Sequence, residues 1–402
     1  MALSRSARKA SAKSGLGNPD YILTIVIALL IIFGLIMISS ASVVLGRNDA
    51  GNPNYYFFTQ LKWVAIGVVI LIAGYKIDYR FWRKIAPILM LLTIIVLIAV
   101  FLPGIGINRN GASRWVNLGF TAFQPSELAK LSLIVYLSAW FENKGNEVKK
   151  WTTSTIPFVL IILVIGGLVM KQPDMGTTVI LSLVAGVMYI VAGARMSHIF
   201  IMAGLAISLG WYLIKTSAYR MSRFMIFLNP ESDSSGQGYH VNQALLAIGS
   251  GGLAGLGFGK SRQKFSYLPE AATDSIFAII SEELGIIGAG FTITLITIFG
   301  YRGYKIAREA PDVFARLMAV GITTWIVGQS LINIMAILSM MPLTGVPLPF
   351  ISYGGSSIVM LMLACGILLN ISKHTQKGEA SAHNSLWWRN WWTYIPGFSS
   401  SQ

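Results

Sequence analysis

Residues 21–45 read YILTIVIALLIIFGLIMISSASVVL, a stretch without a single charged side chain. A helix of roughly 20 apolar residues crosses the hydrocarbon core of a bilayer, so this one is long enough to span. It follows a basic segment carrying Arg5, Arg8, Lys9 and Lys13 and is too long for the apolar part of a cleaved signal peptide. It therefore reads as a signal anchor that leaves the N-terminus in the cytoplasm.

Similar runs recur at Trp63–Tyr75, Ile85–Leu102, Leu128–Phe141, Ile156–Met170, Gly176–Ala194, His198–Ile214, Ser275–Gly300, Leu317–Met341 and Leu348–Asn370. The 402-residue chain is 54% hydrophobic and 12% charged, too few charges to solvate a soluble surface. The expectation is an all-α integral membrane protein of about ten transmembrane helices with both termini cytoplasmic. Its organisation would be a cytoplasmic segment 1–20, a membrane domain 21–372 and a cytoplasmic tail 373–402.

Charge supports that topology, because short cytoplasmic loops hold an excess of Lys and Arg. The segments assigned inside carry 19 of the 31 Lys and Arg residues, among them Lys76, Arg80, Lys149, Arg302 and Arg316. A net charge of +15 is then explained by topology and anionic lipid headgroups, and no nucleic-acid partner is expected. The single cysteine, Cys365 in the last run, excludes a disulfide framework and a Cys-rich metal site.

Irregular sequence is concentrated in 215–273, between the seventh and eighth runs, which this topology places outside as one long extracytoplasmic loop. Long loops of this kind usually carry function. Within it Tyr219–Leu228 sets Arg220 and Arg223 against Phe224, Phe227 and Leu228, predicting a short interfacial helix that Pro230 ends. Residues 254–261, AGLGFGKS, approach a phosphate-binding loop, but Ala254 stands where glycine is needed and no strand-to-helix context is expected. Their glycines are better read as permitting tight turns and close backbone packing. The tail segment Leu386–Tyr394 holds four Trp and one Arg, a pattern that fits an interfacial anchor.

Ionisable residues at membrane depth are costly and need a reason. Pro125 and Glu127 mark a helix start, and Glu127 and Lys130, three residues apart, share a face. They either neutralise each other or furnish a site. Asp274 begins the eighth run, where it or the preceding Thr273 equally suits an N-cap. Glu282 and Glu283 lie about 12 Å deeper at 1.5 Å per residue. If these helices are neighbours, the acids and Lys130 line one polar cavity.

Arg114, Arg220 and Arg223 add positive charge on the same side, suited to a phosphate or pyrophosphate headgroup or to ordinary lipid contact. Between the ninth and tenth runs, residues 342–357 (PLTGVPLPFISYGGSS) offer Ser352, Gly354 and Gly355, either for substrate approach or for helix packing.

Several motifs together resemble a known family. Gly111–Lys130, the stretch from Phe227-Leu228-Asn229-Pro230 to Gly236-Gln237-Gly238-Tyr239, Ala247–Gly252, Gln263-Lys264, Tyr267–Asp274 with Glu282-Glu283-Leu284-Gly285, and Pro349–Ser357 agree in order and spacing with the shape, elongation, division and sporulation (SEDS) family. The chain is most similar to its cell-division members. It departs from them at Ala272 and Ser275, where His and Phe are frequent, and in Asp233-Ser234-Ser235-Gly236 and Tyr239-His240, where Pro after the Asp and Gln after the Tyr are usual.

The resemblance implies a peptidoglycan glycosyltransferase in the bacterial cytoplasmic (inner) membrane, at the division septum, that polymerises lipid II into glycan strands. It also implies a class B penicillin-binding protein that crosslinks those strands, with other divisome membrane proteins as partners. On that footing Asp274 would be the general base, Lys130 the cation that keeps it ionised, and Glu127 the group orienting Lys130. Arg114, Arg220 and Arg223, with a divalent cation (Mg or Mn) shared with substrate oxygens, would stabilise the departing pyrophosphate. A lipid II flippase and a non-catalytic divisome scaffold are the rival readings.

Overall fold

The computed structural model describes residues 17–109, 112–117, 119, 122–229 and 236–375. Gly111, Pro230, residues 233–235, the basic N-terminal segment and the Trp-rich tail lie outside the described residues.

Thirteen α-helices are present among the described residues: α1 (Tyr21–Ala41), α2 (Val43–Ala50), α3 (Tyr55–Lys76), α4 (Tyr79–Ala99), α5 (Pro125–Lys144), α6 (Ile156–Lys171), α7 (Met175–Val191), α8 (Met196–Lys215), α9 (Ala218–Leu228), α10 (Gln237–Gly251), α11 (Ile276–Arg308), α12 (Val313–Ile337) and α13 (Gly355–Lys373). Eight are long and apolar enough to cross a membrane: α1, α3, α4, the helix through α6, α8, α11, α12 and α13. Large apolar side chains also face outward, such as Ile88, Leu91, Phe200 and Ile207, each more than half exposed. Water would not tolerate so wide an apolar exterior, whereas lipid does. The molecule is an all-α, multi-pass membrane protein.

Helix starts are fixed locally. Asp20, Asp78, Asp174 and Asp312 precede α1, α4, α7 and α12, and each accepts a first-turn backbone N–H, as Asp174 does from Thr177 at 3.0 Å. The final helix begins at Gly355, later than the apolar run from Leu348, because Pro347 and Pro349 lack backbone donors and the connection winds irregularly to Gly354. The first apolar run likewise divides at Ser42 into α1 and α2.

A small antiparallel sheet, not expected from the sequence, joins α4 to α5: β1 (Gly106–Arg109), β2 (Ala112–Asn117) and β3 (Ala122–Phe123), in that spatial order, with Gly106 opposite Val116 and Val116 opposite Phe123. The short helix anticipated over Tyr219–Leu228 is present as α9, and Asn229 ends it.

Buried α12 and α13 form the centre. Against them pack α3, α5, α7 and α11, while α8 stands at the edge and leaves most of its side chains outward. The connections holding Arg114, Gln172, Arg223, Leu343 and Thr273 meet at one end of the bundle. Asp20, Arg302, Tyr79 and Asp312 join at the other.

The most unusual backbone lies in α11. Gly285 has φ 63° and ψ −158°, which breaks the helix inside the bundle. The break is filled by the segment after α10. Leu256 N and Gly257 N donate to the carbonyls of Glu282 and Glu283 at 2.9 and 3.0 Å, while Ile286 N donates to Gly252 O at 3.0 Å. This approach requires glycine, because a Cβ on Gly251 or Gly255 would overlap the Ser281 or Glu283 carbonyl. The near-match to a phosphate loop is thus a backbone splice, as its glycines suggested.

Candidate active site

Asp274 sits on the turn 268–275 that leads into α11. Thr273 N and Ser275 N both donate to Glu270 O at 3.1 Å, with Glu270 itself in the left-handed region at φ 52°. Ser275, rather than Asp274 or Thr273, occupies the N-cap position. The Asp274 carboxylate accepts no hydrogen bond from the described residues and so remains available. It is partly buried. Burial, then the negative charge of Glu270 and the weaker influence of Asp174, pushes its pKa up to about 7, against the opposing cations Arg223 and Arg114.

Uncharged polar groups hold the backbone around it. Asn333 Nδ2 from α12 donates to Asp274 O at 2.7 Å and to Val346 O at 2.8 Å. Ser352 Oγ donates to Thr273 O at 2.6 Å and accepts from Leu348 N at 2.8 Å, and Tyr353 N donates to Ala272 O at 2.9 Å. Gly345, at φ 69°, faces the carboxyl, and a Cβ there would stand 3.4 Å from Asp274 Oδ2.

Lys130 and Glu127 are buried and paired at 2.9 Å. The lysine also donates to Gln329 Oε1 at 2.9 Å and lies 5.0 Å from the centre of the Trp325 ring. Gln329 Nε2 continues to Pro347 O at 2.8 Å. The expectation that Lys130 is the charge partner of Asp274 is therefore corrected: its bonds are to Glu127 and Gln329, and the cations acting on Asp274 are Arg223 and Arg114. Lys130 and Glu127 reach the site through the 345–348 backbone instead.

The three arginines differ. Arg114, on β2, donates through Nε to Gln172 O at 3.0 Å and through Nη2 to Pro173 O, so it ties the sheet to the turn before α7. Arg223, on α9, donates to Leu343 O at 2.9 Å and bears on Asp274. Arg220 Nη1 lies 3.7 Å from Met170 Sδ, against the end of α6.

Glu282 and Glu283 are not open to a substrate. Glu282 accepts from Ser261 Oγ and from Arg262 N at 2.9 Å. Glu283 pairs with Lys264 at 3.1 Å and accepts from Ser40 Oγ at 2.6 Å. Their role is to clamp the splice onto α1 and α11, because a buried carboxylate must be matched by donors and cations. Ser352 is a holding group, and Gly355 lets α13 approach the Trp63 ring closely. Gly354 N donates to Gln60 Oε1 at 3.1 Å.

Residues that the sequence reading passed over include Asp174, Glu270, Gln329 and Asn333. The last two carried a signal: two amides one helical turn apart in an otherwise apolar run. The carboxylate of Asp174 is engaged by Thr177 and by Ser126 Oγ at 3.4 Å.

The chain has relatives along most of its length. Over 360 residues it is 39% identical to stage V sporulation protein E of Bacillus subtilis (strain 168), covering 89% of this chain and 98% of that one. It is 38% identical to the probable peptidoglycan glycosyltransferase FtsW of Trichlorobacter lovleyi, covering 89% of this chain and 94% of that one. Among solved structures it superposes with TM-score 0.72 and 26% identity on a chain described under "Structural coordination of polymerization and crosslinking by a peptidoglycan synthase complex", covering 88% of this chain and 97% of that one. The rod shape determining protein RodA of Thermus thermophilus gives a TM-score of 0.66 at 24% identity, covering 89% and 98%, a likeness of fold. With the cell cycle protein family FTSW_RODA_SPOVE matching residues 20–377, the chain belongs to that family, the SEDS proteins anticipated from its motifs.

Proposed function

We propose that this chain is a peptidoglycan glycosyltransferase that polymerises lipid II during septal cell-wall synthesis, at the outer face of the bacterial cytoplasmic membrane. Counting α5 and α7 with the eight apolar helices gives ten spans, both termini in the cytoplasm and the Asp274 end outside, where the lipid-linked substrate arrives. The supporting observation is Asp274: a carboxylate free of hydrogen bonds from the described residues, with a pKa of about 7 and two arginines acting on it.

In this reading the Asp274 carboxylate takes the proton of the acceptor sugar hydroxyl as its oxygen forms a bond to the anomeric carbon of the donor. The bond from that carbon to the undecaprenyl pyrophosphate breaks, the donor carbon inverts, and the negative charge departs with the leaving group beside Arg223 and Arg114. Lys130, Glu127, Gln329 and Asn333 hold the 345–348 backbone and Asp274 in register. Arg220 meets the headgroup further along α9.

Among the described residues no three His, Cys, Asp or Glu side chains converge into a cage for a metal ion. A divalent cation would be shared with the pyrophosphate oxygens of the substrate, where it would supply charge neutralisation. The partner in this reading is a class B penicillin-binding protein, within a complex of divisome membrane proteins.

The test is to purify the chain with that partner, supply lipid II and compare wild type with Asp274→Ala and Asp274→Asn. Polymer from the wild type alone is the expected result. Undiminished polymer from both variants would remove Asp274 from the chemistry, and lipid movement without polymer would favour a flippase.

A further inference from the structure

Three of the contacts that hold the Asp274 turn come from the central bundle: Asn333 on α12, and Ser352 and Tyr353 in the connection to α13. Another comes from α10, in the long loop. His240 Nε2 lies 2.6 Å from Ser275 Oγ, the residue after Asp274. Ser275 Oγ in turn lies 3.0 Å from Pro269 O, at the start of the same turn.

One arrangement of protons satisfies all three groups at once. A carbonyl oxygen can only accept, and a serine hydroxyl has one hydrogen to donate. That hydrogen goes from Ser275 to Pro269, so the hydrogen between His240 and Ser275 must come from the imidazole. Neutral His240 therefore carries its proton on Nε2 and its lone pair on Nδ1. The chain His240 to Ser275 to Pro269 closes the two ends of the turn on each other.

We propose that His240 is a positioning residue for Asp274: by donating Nε2–H to Ser275 it fixes the 269–275 turn and aims the carboxylate at the acceptor hydroxyl. The proposal rests on the reading of Asp274 as the general base. A misplacement of about 1 Å at a reacting group costs on the order of a hundredfold in rate, so a hydrogen bond one residue away has leverage on turnover.

The charges that act on His240 are Glu270 of the turn and Arg223 of α9. Burial lowers the pKa of the imidazole, Glu270 opposes that, and Arg223 adds to it. The imidazole is therefore neutral at neutral pH. Both protonation states carry hydrogen on Nε2, so the contact persists through the titration and the acidic limb of activity remains that of Asp274.

The experiment uses the full chain with its penicillin-binding partner and lipid II, and measures kcat and KM for His240→Ala, His240→Gln, Ser275→Ala and the double variant His240→Ala/Ser275→Ala. His240→Ala should lower kcat about tenfold with KM nearly unchanged. Glutamine, whose amide N–H replaces Nε2–H, should restore kcat to within about threefold of wild type with the same acidic limb. Ser275→Ala should resemble His240→Ala, and the double variant should lose little more, because both act through one bond.

Wild-type kcat in His240→Ala or in Ser275→Ala overturns the proposal. So does His240→Gln as impaired as His240→Ala, which would mean that the imidazole itself moves the proton. If His240→Ala fails to fold, the glutamine and Ser275→Ala variants still decide. Asp274→Asn is run alongside: full activity there sinks the general-base reading, whereas an inactive Asp274→Asn with a normal His240→Ala sinks only the positioning role.

Discussion

Lys130 Nζ donates to Gln329 Oε1 across 2.9 Å, deep between α5 and α12. Because Gln329 passes its own amide hydrogen to Pro347 O at 2.8 Å, the buried lysine helps set the backbone that leads to Gly345, beside Asp274. Its influence on the proposed chemistry is mechanical, transmitted through amides, and its charge is answered locally by Glu127.

Removing that charge should therefore damage folding before chemistry. Lys130→Met leaves Glu127 ionised and buried without a partner, which costs about 3–5 kcal/mol. Lys130→Met with Glu127→Gln should recover much of the loss, as read by thermal melting in detergent. Equal melting of wild type and Lys130→Met would contradict the buried pair.

Asn333 is the sharper probe of site geometry. Asn333→Leu removes both donors and leaves the carbonyls of Asp274 and Val346 unmatched, each worth about 1–3 kcal/mol when buried. Polymerisation should fall at least about tenfold. Because Asn333 orients the base rather than binds substrate, KM should stay close to wild type in steady-state assays.

The pH dependence follows from Asp274. A base with a pKa of about 7 gives activity that rises through that pH and levels above it. Arg223→Ala withdraws an opposing cation, so the acidic limb should move to higher pH. A limb that stays in place would show that the arginine does not act on this carboxyl.

The same shift bears on stability. Unfolded, the carboxyl loses its proton near 3.8, but folded it holds it to about 7. Between those values the folded chain carries the extra proton, so this group's contribution falls as pH rises through the window and its full penalty is present above it. Asp274→Asn should consequently raise the melting temperature at pH 8 and leave it nearly unchanged near pH 4.

Glycine substitutions separate conformation from crowding. Gly259→Ala, at φ 78° with open space around it, should cost about 1–2 kcal/mol. Gly285→Ala, at φ 63° with the Gly255 and Leu253 backbone 2.5 Å from the added Cβ, should exceed about 4 kcal/mol and block assembly. Similar melting of the two variants would argue against the splice.

Much of this architecture is written in the apolar runs, because lipid punishes polar groups so strongly that span positions become legible one by one. Asp274 was legible only as an acid at a helix start, and its role as a base came from the family resemblance. What escaped the sequence is adjacency. Helical spacing puts Glu127 and Lys130 on one face but does not say which helix that face meets, so Gln329 was not foreseen. Glu282 and Glu283 resembled cavity acids because nothing local announces that the segment after α10 folds back to cover them. The sheet at 106–123 is too short for a periodic pattern to emerge.

The break at Gly285 has a consequence for how the chain is made. The backbone that completes α11 comes from residues 252–257, which leave the ribosome before α11 does. The helix thus meets its missing partner already made. A chain of this design has one step of assembly that follows the order of synthesis, and a circular permutant cut between α10 and α11 would reverse it.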